Sequence, residues 1–301
     1  ARQIDLENQT WLAALLVQYG MALQLLALLL LVFAADAYSR VLAGAMCAAG
    51  AFMANPFGMP ALFVKLTGLF FYGFWLVLHR LDILSEHLPL TRIKFSALLF
   101  LAPLLAADVA LVFFYLFGLS PDIITSCCGV VFSPGAGDGR NLVGPLPVFA
   151  LMSGFYSLAV GLLLLTMVLL TRNSTRPSRG ELMLNAVYGL SFAGFFILSL
   201  VVITAVISSY IYAMPAHRCP FDILQREYNY IGYPLYLALI GGSFAGISAA
   251  GSAFCAGLPG LAEPVRRFRR LALRSVLLLL PLFLLIASWS PLLYLLTGGE
   301  R

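Results

Sequence analysis

Residues Trp11–Ala34 read WLAALLVQYGMALQLLALLLLVFA, a run without a charged side chain in which Gln18 and Gln24 are the polar interruptions. As an α-helix this run rises about 36 Å, which exceeds the roughly 30 Å of a hydrocarbon core. Backbone groups cannot stay unpaired in lipid, so a run of this length predicts a spanning helix. Six further runs meet the same criterion: Ala61–Leu78, Ser96–Phe117, Val148–Leu170, Asn185–Ala213, Gly232–Leu258 and Ser275–Leu296. An eighth, Val41–Ala54 (VLAGAMCAAGAFMA), is short and rich in small residues. It ends at Asn-Pro-Phe-Gly-Met-Pro, whose prolines and glycine interrupt a helix, and it reads as a short span or a re-entrant segment.

The rest of the chain agrees with that reading. Its 301 residues are 61% hydrophobic and 10% charged, with a mean hydropathy of +0.96. These values lie outside the range of soluble domains and exclude a disordered chain, a disulfide-dense secreted module and a soluble nucleic-acid binder. The expected fold is all-α: a polytopic membrane protein with about eight transmembrane helices, or seven if Val41–Ala54 is re-entrant. Residues 1–301 are expected to form a single integral-membrane helical bundle with external loops 119–146 and 214–231.

Basic residues orient such a chain, because Lys and Arg accumulate on the cytoplasmic side. In an eight-span reading one side collects Arg40, Arg80, Arg92, Lys94, Arg172, Arg176, Arg179, Arg266, Arg267, Arg269, Arg270 and Arg274. The opposite side has Arg2, Arg140, Arg218, Arg226 and Arg301. The first set is therefore assigned to the cytoplasm and both termini to the outside, as for a bacterial-type inner membrane. A start at Ala1 without methionine fits either trimming of the chain or removal of a leader. With seven spans the N-terminus moves inside, while every loop after Arg80 keeps its side.

The two long external loops carry unusual residues. Cys127 and Cys128 lie in the first, while Met214, His217 and Cys219 lie in the second. Adjacent cysteines have Cα atoms about 3.8 Å apart, below the usual disulfide separation, so Cys127 and Cys128 should not pair together. An oxidising compartment permits a disulfide from Cys219 to either one, which leaves one thiol over. Alternatively, Cys127, Cys128, Cys219 and His217, with Met214 as an extra soft ligand, suit zinc or cuprous copper. Cys47 and Cys255 fall within predicted spans and read as packing residues.

Lys65 and Asp108 are the basic and acidic residues well inside the predicted spans, at depths of about 8 and 15 Å from the external ends of their helices. They are expected to meet, either as a structural ion pair or as a proton relay or substrate counter-ion. Gly242, Gly246 and Ala250 form a small-residue stripe suited to close helix packing. Glu263–Arg274 reads as a basic interfacial helix begun by Pro264. There Arg266, Arg267, Arg269 and Arg270 would contact anionic lipid or a cytoplasmic subunit.

The three histidines, His79, His87 and His217, lie outside the predicted spans, so an intramembrane bis-histidine haem is not expected. No nucleotide-binding, zinc-protease or nucleophile-elbow motif occurs, and the chain reads as a non-catalytic subunit. The leading functional expectation is an integral subunit of an envelope complex, with membrane or periplasmic partners, whose Cys/His loops support thiol, metal or electron-transfer chemistry. The alternatives are a transporter or permease using Lys65 and Asp108, and a structural anchor for partner subunits.

Overall fold

The structure, a computed structural model, describes residues 2–45, 47–120, 122, 147–172, 177–214 and 218–297. Seven helices among them are long and apolar enough to cross a membrane, and the protein is a polytopic α-helical membrane protein. The chain divides into two compact units, Ala1–Thr125 and Ser126–Arg301.

The first unit contains α1 (Arg2–Ser39), the short α2 (Ala48–Phe52), α3 (Gly58–Ile83) and α4 (Thr91–Phe117). The central α3 packs against α1 on one side and α4 on another. A seven-residue rhythm sets the α3–α4 contact. On α3 the buried positions include Gly58, Lys65, Tyr72 and His79, each seven apart, and Ala61, Gly68, Trp75 and Asp82 in the complementary register. On α4 the buried residues are Lys94, Leu101, Asp108 and Tyr115, again seven apart. Such a repeat keeps one seam of each helix facing its partner. The helices run antiparallel: Gly58 meets Tyr115, Lys65 meets Asp108, Tyr72 shares an apolar cluster with Leu101, and His79 meets Lys94. The outer face of α4 is apolar and open, with Phe100 80% and Phe117 82% exposed, as lipid contact requires.

Within the Val41–Ala54 segment, expected as a short span or a re-entrant segment, the helix among the described residues is α2. Helix α2 has five residues, a rise of about 7.5 Å, and cannot cross a bilayer. All five residues are buried. After it, Asn55 donates through Nδ2 to the Tyr115 carbonyl at 2.8 Å and accepts from the Phe57 N–H at 3.0 Å, which closes the turn into α3. Cys47 precedes α2 as its N-cap and lies outside the spanning helices. With seven spans Arg2 joins the basic side as Arg40 leaves it, so the charge bias keeps its size.

The second unit contains α5 (Val148–Thr171), α6 (Arg179–Tyr212), α7 (Gly232–Ala253) and α8 (Ala262–Leu296). A capping box starts α6: Ser178 Oγ accepts the Glu181 N–H, and the Glu181 carboxylate accepts the Ser178 N–H. Helix α6 passes through a π-turn at Ile203–Ile207. Two 3₁₀ turns, Asp222–Leu224 and Arg226–Tyr228, lie before α7. The core joins Phe155, Phe195 and Phe283, whose ring centroids are 5.5 to 6.0 Å apart. Gly246 serves close packing, since a Cβ there would stand 2.5 Å from the Phe192 ring.

Three sequence expectations change here. The basic stretch Glu263–Arg274 is continuous with the last span in one 35-residue helix, because its proline, Pro264, falls in the first turn, where the missing N–H breaks no bond, and good helix formers follow. Arg269 does not face lipid: it is buried, donating through Nη2 to Asn185 Oδ1 at 2.8 Å and through Nε to the Ala249 carbonyl at 3.2 Å. Cys255 lies in the turn after α7 rather than within it.

Candidate functional site

The polar interior of the first unit is built by three helices. Helix α3 is polar along its seam, and α1 and α4 each supply one polar residue at the level of Lys65. The Lys65 ammonium donates to Gln24 Oε1 at 2.9 Å and pairs with Asp108 Oδ1 at 3.0 Å. Lys65 is 5% exposed and Asp108 fully buried. Seven residues, about two turns, further along α3, the Tyr72 ring lies over Gly68, where a Cβ would stand 2.5 Å from the ring edge. The Tyr72 hydroxyl lies beside the Asp108 carboxylate and is its second polar partner. The Asp108 carboxylate thus faces side-chain partners, the Lys65 ammonium and the Tyr72 hydroxyl, and accepts no backbone N–H among the described residues.

A second buried pair closes the other end of the seam. Asp82 accepts the Leu90 N–H at 2.7 Å, the Thr91 hydroxyl at 2.9 Å and the Lys94 ammonium at 2.6 Å. Lys94 Nζ also lies 3.3 Å from His79 Nδ1, and the Trp75 indole N–H donates to the Lys94 carbonyl at 3.0 Å. The Trp75 and His79 rings stack with centroids 5.4 Å apart. Asp82 thereby satisfies the amide of the residue that caps α4 and the hydroxyl of its first residue, and neutralises the buried Lys94 at once. His79 lies within α3 and is buried, although its predicted span stopped one residue earlier. Lys94, read from sequence as a loop charge, is likewise inside a helix.

The structure thus brings Lys65 and Asp108 together and adds Gln24 and Tyr72. Reading charges one at a time had isolated the pair, whereas Tyr72, His79, Asp82 and Lys94 needed the seven-residue spacing to stand out.

The Cys/His group stands differently. Cys127, Cys128 and His217 lie outside the described residues, and no disulfide joins described residues. Met214 is 47% exposed, whereas Cys219 is buried. The Tyr212 hydroxyl donates to the Cys219 carbonyl, Tyr236 donates to the Pro220 carbonyl at 2.7 Å, and the Phe221 N–H points at Cys219 Sγ at 3.4 Å. At the start of α8, Glu263 grips Arg266 and Arg267, each at 2.8 Å, and these residues line an open pocket with Arg270 and Arg274.

Chemically, the Gln24–Lys65–Tyr72–Asp108 group is a set of oxygens around one ammonium, able to hold a single positive charge inside the apolar layer. No protein-family model matches this chain, and no curated protein or solved structure matches it.

Proposed function

We propose that this integral membrane protein is a permease-type ion carrier whose ion-handling site is formed by Gln24, Lys65, Tyr72 and Asp108. One observation carries the reading, namely the contrast between the two buried carboxylates of the same helix pair. Asp82 has three donors, as a structural lock should. Asp108 is fully buried and, among the described residues, is held by side chains alone, the Lys65 ammonium at 3.0 Å and the Tyr72 hydroxyl, without a backbone donor. A carboxylate retained as a lock gains from a fixed backbone donor, as at Asp82, whereas side-chain partners can be exchanged. An intramembrane carboxylate whose partners are side chains able to move is suited to accept and release a charged species.

The thiol and metal alternative depends on Cys127, Cys128 and His217, which lie outside the described residues. Its premise is separate from the buried site.

The test is proton flux into liposomes loaded with a pH-sensitive dye and reconstituted with the full chain under an imposed pH gradient. The Lys65→Met/Asp108→Leu double variant should fold and lose the protein-dependent flux, because it removes both charges without leaving one unpaired. Wild-type flux equal to protein-free liposomes, or unchanged flux in the double variant, would reject the permease reading.

A further inference from the structure

We propose that the arginine pocket at the start of α8 binds an anionic phospholipid, with Arg270 and Arg274 holding its phosphate and the exposed leucines beyond them receiving an acyl chain. This site lies in the second unit and is independent of the buried pair in the first.

Helix α8 is longer than a bilayer needs. Its 35 residues rise about 52 Å, against a hydrocarbon core of about 30 Å. The uncharged run Ser275–Leu296 is long enough to fill the core by itself. Arg270 and Arg274 then stand within about 8 Å of its edge, which is the layer of the phospholipid headgroups.

The rotation of α8 is fixed from its other face. Arg269 is buried there, donating to Asn185 on α6 and to the Ala249 carbonyl on α7. Arg267, Arg270, Leu271 and Arg274 consequently turn outwards, and all four are exposed. Glu263 holds Arg266 and Arg267 in ion pairs. Arg270 and Arg274 line the same pocket and have no ion-pair partner among the described residues. Four residues apart on a helix, their Cβ atoms are about 5–6 Å from each other, so both guanidinium forks reach one phosphate.

The same helix face selects a lipid over a water-soluble anion. Leu271 lines the pocket, and Leu278, Leu282 and Leu285 follow it at spacings that keep them on one face. All four leucines are exposed. A phosphate held in the pocket thus has an open apolar track running from it into the hydrocarbon layer, which a soluble anion would leave unused.

The probe is phosphatidylglycerol titrated against the purified full chain in a non-ionic detergent, with bound lipid counted by native mass spectrometry. Phosphatidylcholine with the same acyl chains is titrated in parallel and should bind more weakly. Arg270→Gln and Arg274→Gln should each lower phosphatidylglycerol affinity about fivefold, the usual effect of one arginine near a membrane surface, and leave phosphatidylcholine unchanged. Arg226→Gln removes the same charge at the opposite end of α7, about 33 Å away, and should leave both affinities unchanged. Glu263→Gln releases Arg266 and Arg267 to the lipid and should raise phosphatidylglycerol affinity, a gain that a poorly folded variant cannot imitate. Equal wild-type affinity for the two lipids, or an equal loss in Arg226→Gln, would reduce the pocket to general charge attraction and overturn the proposal. Displacement of the lipid by an equal concentration of glycerophosphoglycerol, the same headgroup without acyl chains, would make this a soluble-anion site and overturn it as well.

Discussion

Two aspartates, each paired with a lysine across α3 and α4, respond oppositely to the same kind of change. Replacing Asp108 by Asn leaves Lys65 buried without its counter-charge, and breaking such a pair typically costs about 3–5 kcal/mol. Replacing both by apolar residues removes both desolvation penalties, so the Lys65→Met/Asp108→Leu protein should recover most of the loss. The Asp82 pair should not recover in this way. Asp82→Leu with Lys94→Met also strips the acceptor from the Leu90 N–H and the Thr91 hydroxyl. Each such buried orphan costs about 1–3 kcal/mol. Unfolding midpoints in detergent for the two single and two double variants measure the contrast directly. Equal recovery at both pairs would show that Asp108 and Asp82 do the same structural work. A charge inside an apolar run is conspicuous, which is why Lys65 and Asp108 were readable from the sequence. Asp82 and His79 sit where apolar character fades at a helix end, and there a buried network looks like an ordinary loop.

At the scale of elements, the spans were legible because lipid demands long apolar runs, but their ends were not. Helix α6 begins six residues before the run that predicted it, since the capping box at Ser178 and Glu181, rather than hydropathy, fixes its start. Helix α8 extends through its arginines because Arg and Leu are good helix formers whatever their polarity. The small-residue run around α2 was ambiguous for a physical reason: alanines and glycines are apolar enough for lipid and small enough for a buried turn. Close approach in both units rests on glycine, and the two cases differ. At Gly246 the neighbour is the Phe192 ring, a side chain able to shift, so Gly246→Ala should lower stability by about 1–3 kcal/mol, the usual cost of overpacking. At Gly58 a Cβ would collide with the Phe52 carbonyl oxygen and with the Tyr115 ring, and the backbone atom cannot move independently. Gly58→Ala should therefore be the more damaging of the two. A higher unfolding midpoint for Gly58→Ala than for Gly246→Ala would contradict the packing of α2 against α3.

For the whole molecule the remaining question is which way the spans run, and one residue decides it. An eight-span chain puts Arg40 on the side of Arg267; a seven-span chain puts them on opposite sides. The loops after α3 do not discriminate, because both counts assign them identically. Arg40 and Arg267 are well suited as reporters, since their side chains are 80% and 79% exposed. Their own ion pairs, to Asp36 and Glu263, are partly exposed contacts within one helix or at its edge, of a kind that contributes little to folding. Cysteine can replace either arginine without disturbing the core. Because α2 spans only five residues, Arg40→Cys should react in intact cells with a membrane-impermeant maleimide, while Arg267→Cys should react only after the membrane is opened. This pattern would put the N-terminus on the basic, cytoplasmic side, as the positive-inside rule requires of seven spans. Labelling of both positions, or of neither, would restore an even number of crossings between them and require α2 and its flanks to traverse the bilayer. Labelling of Arg267→Cys alone would keep the seven spans and invert the whole protein.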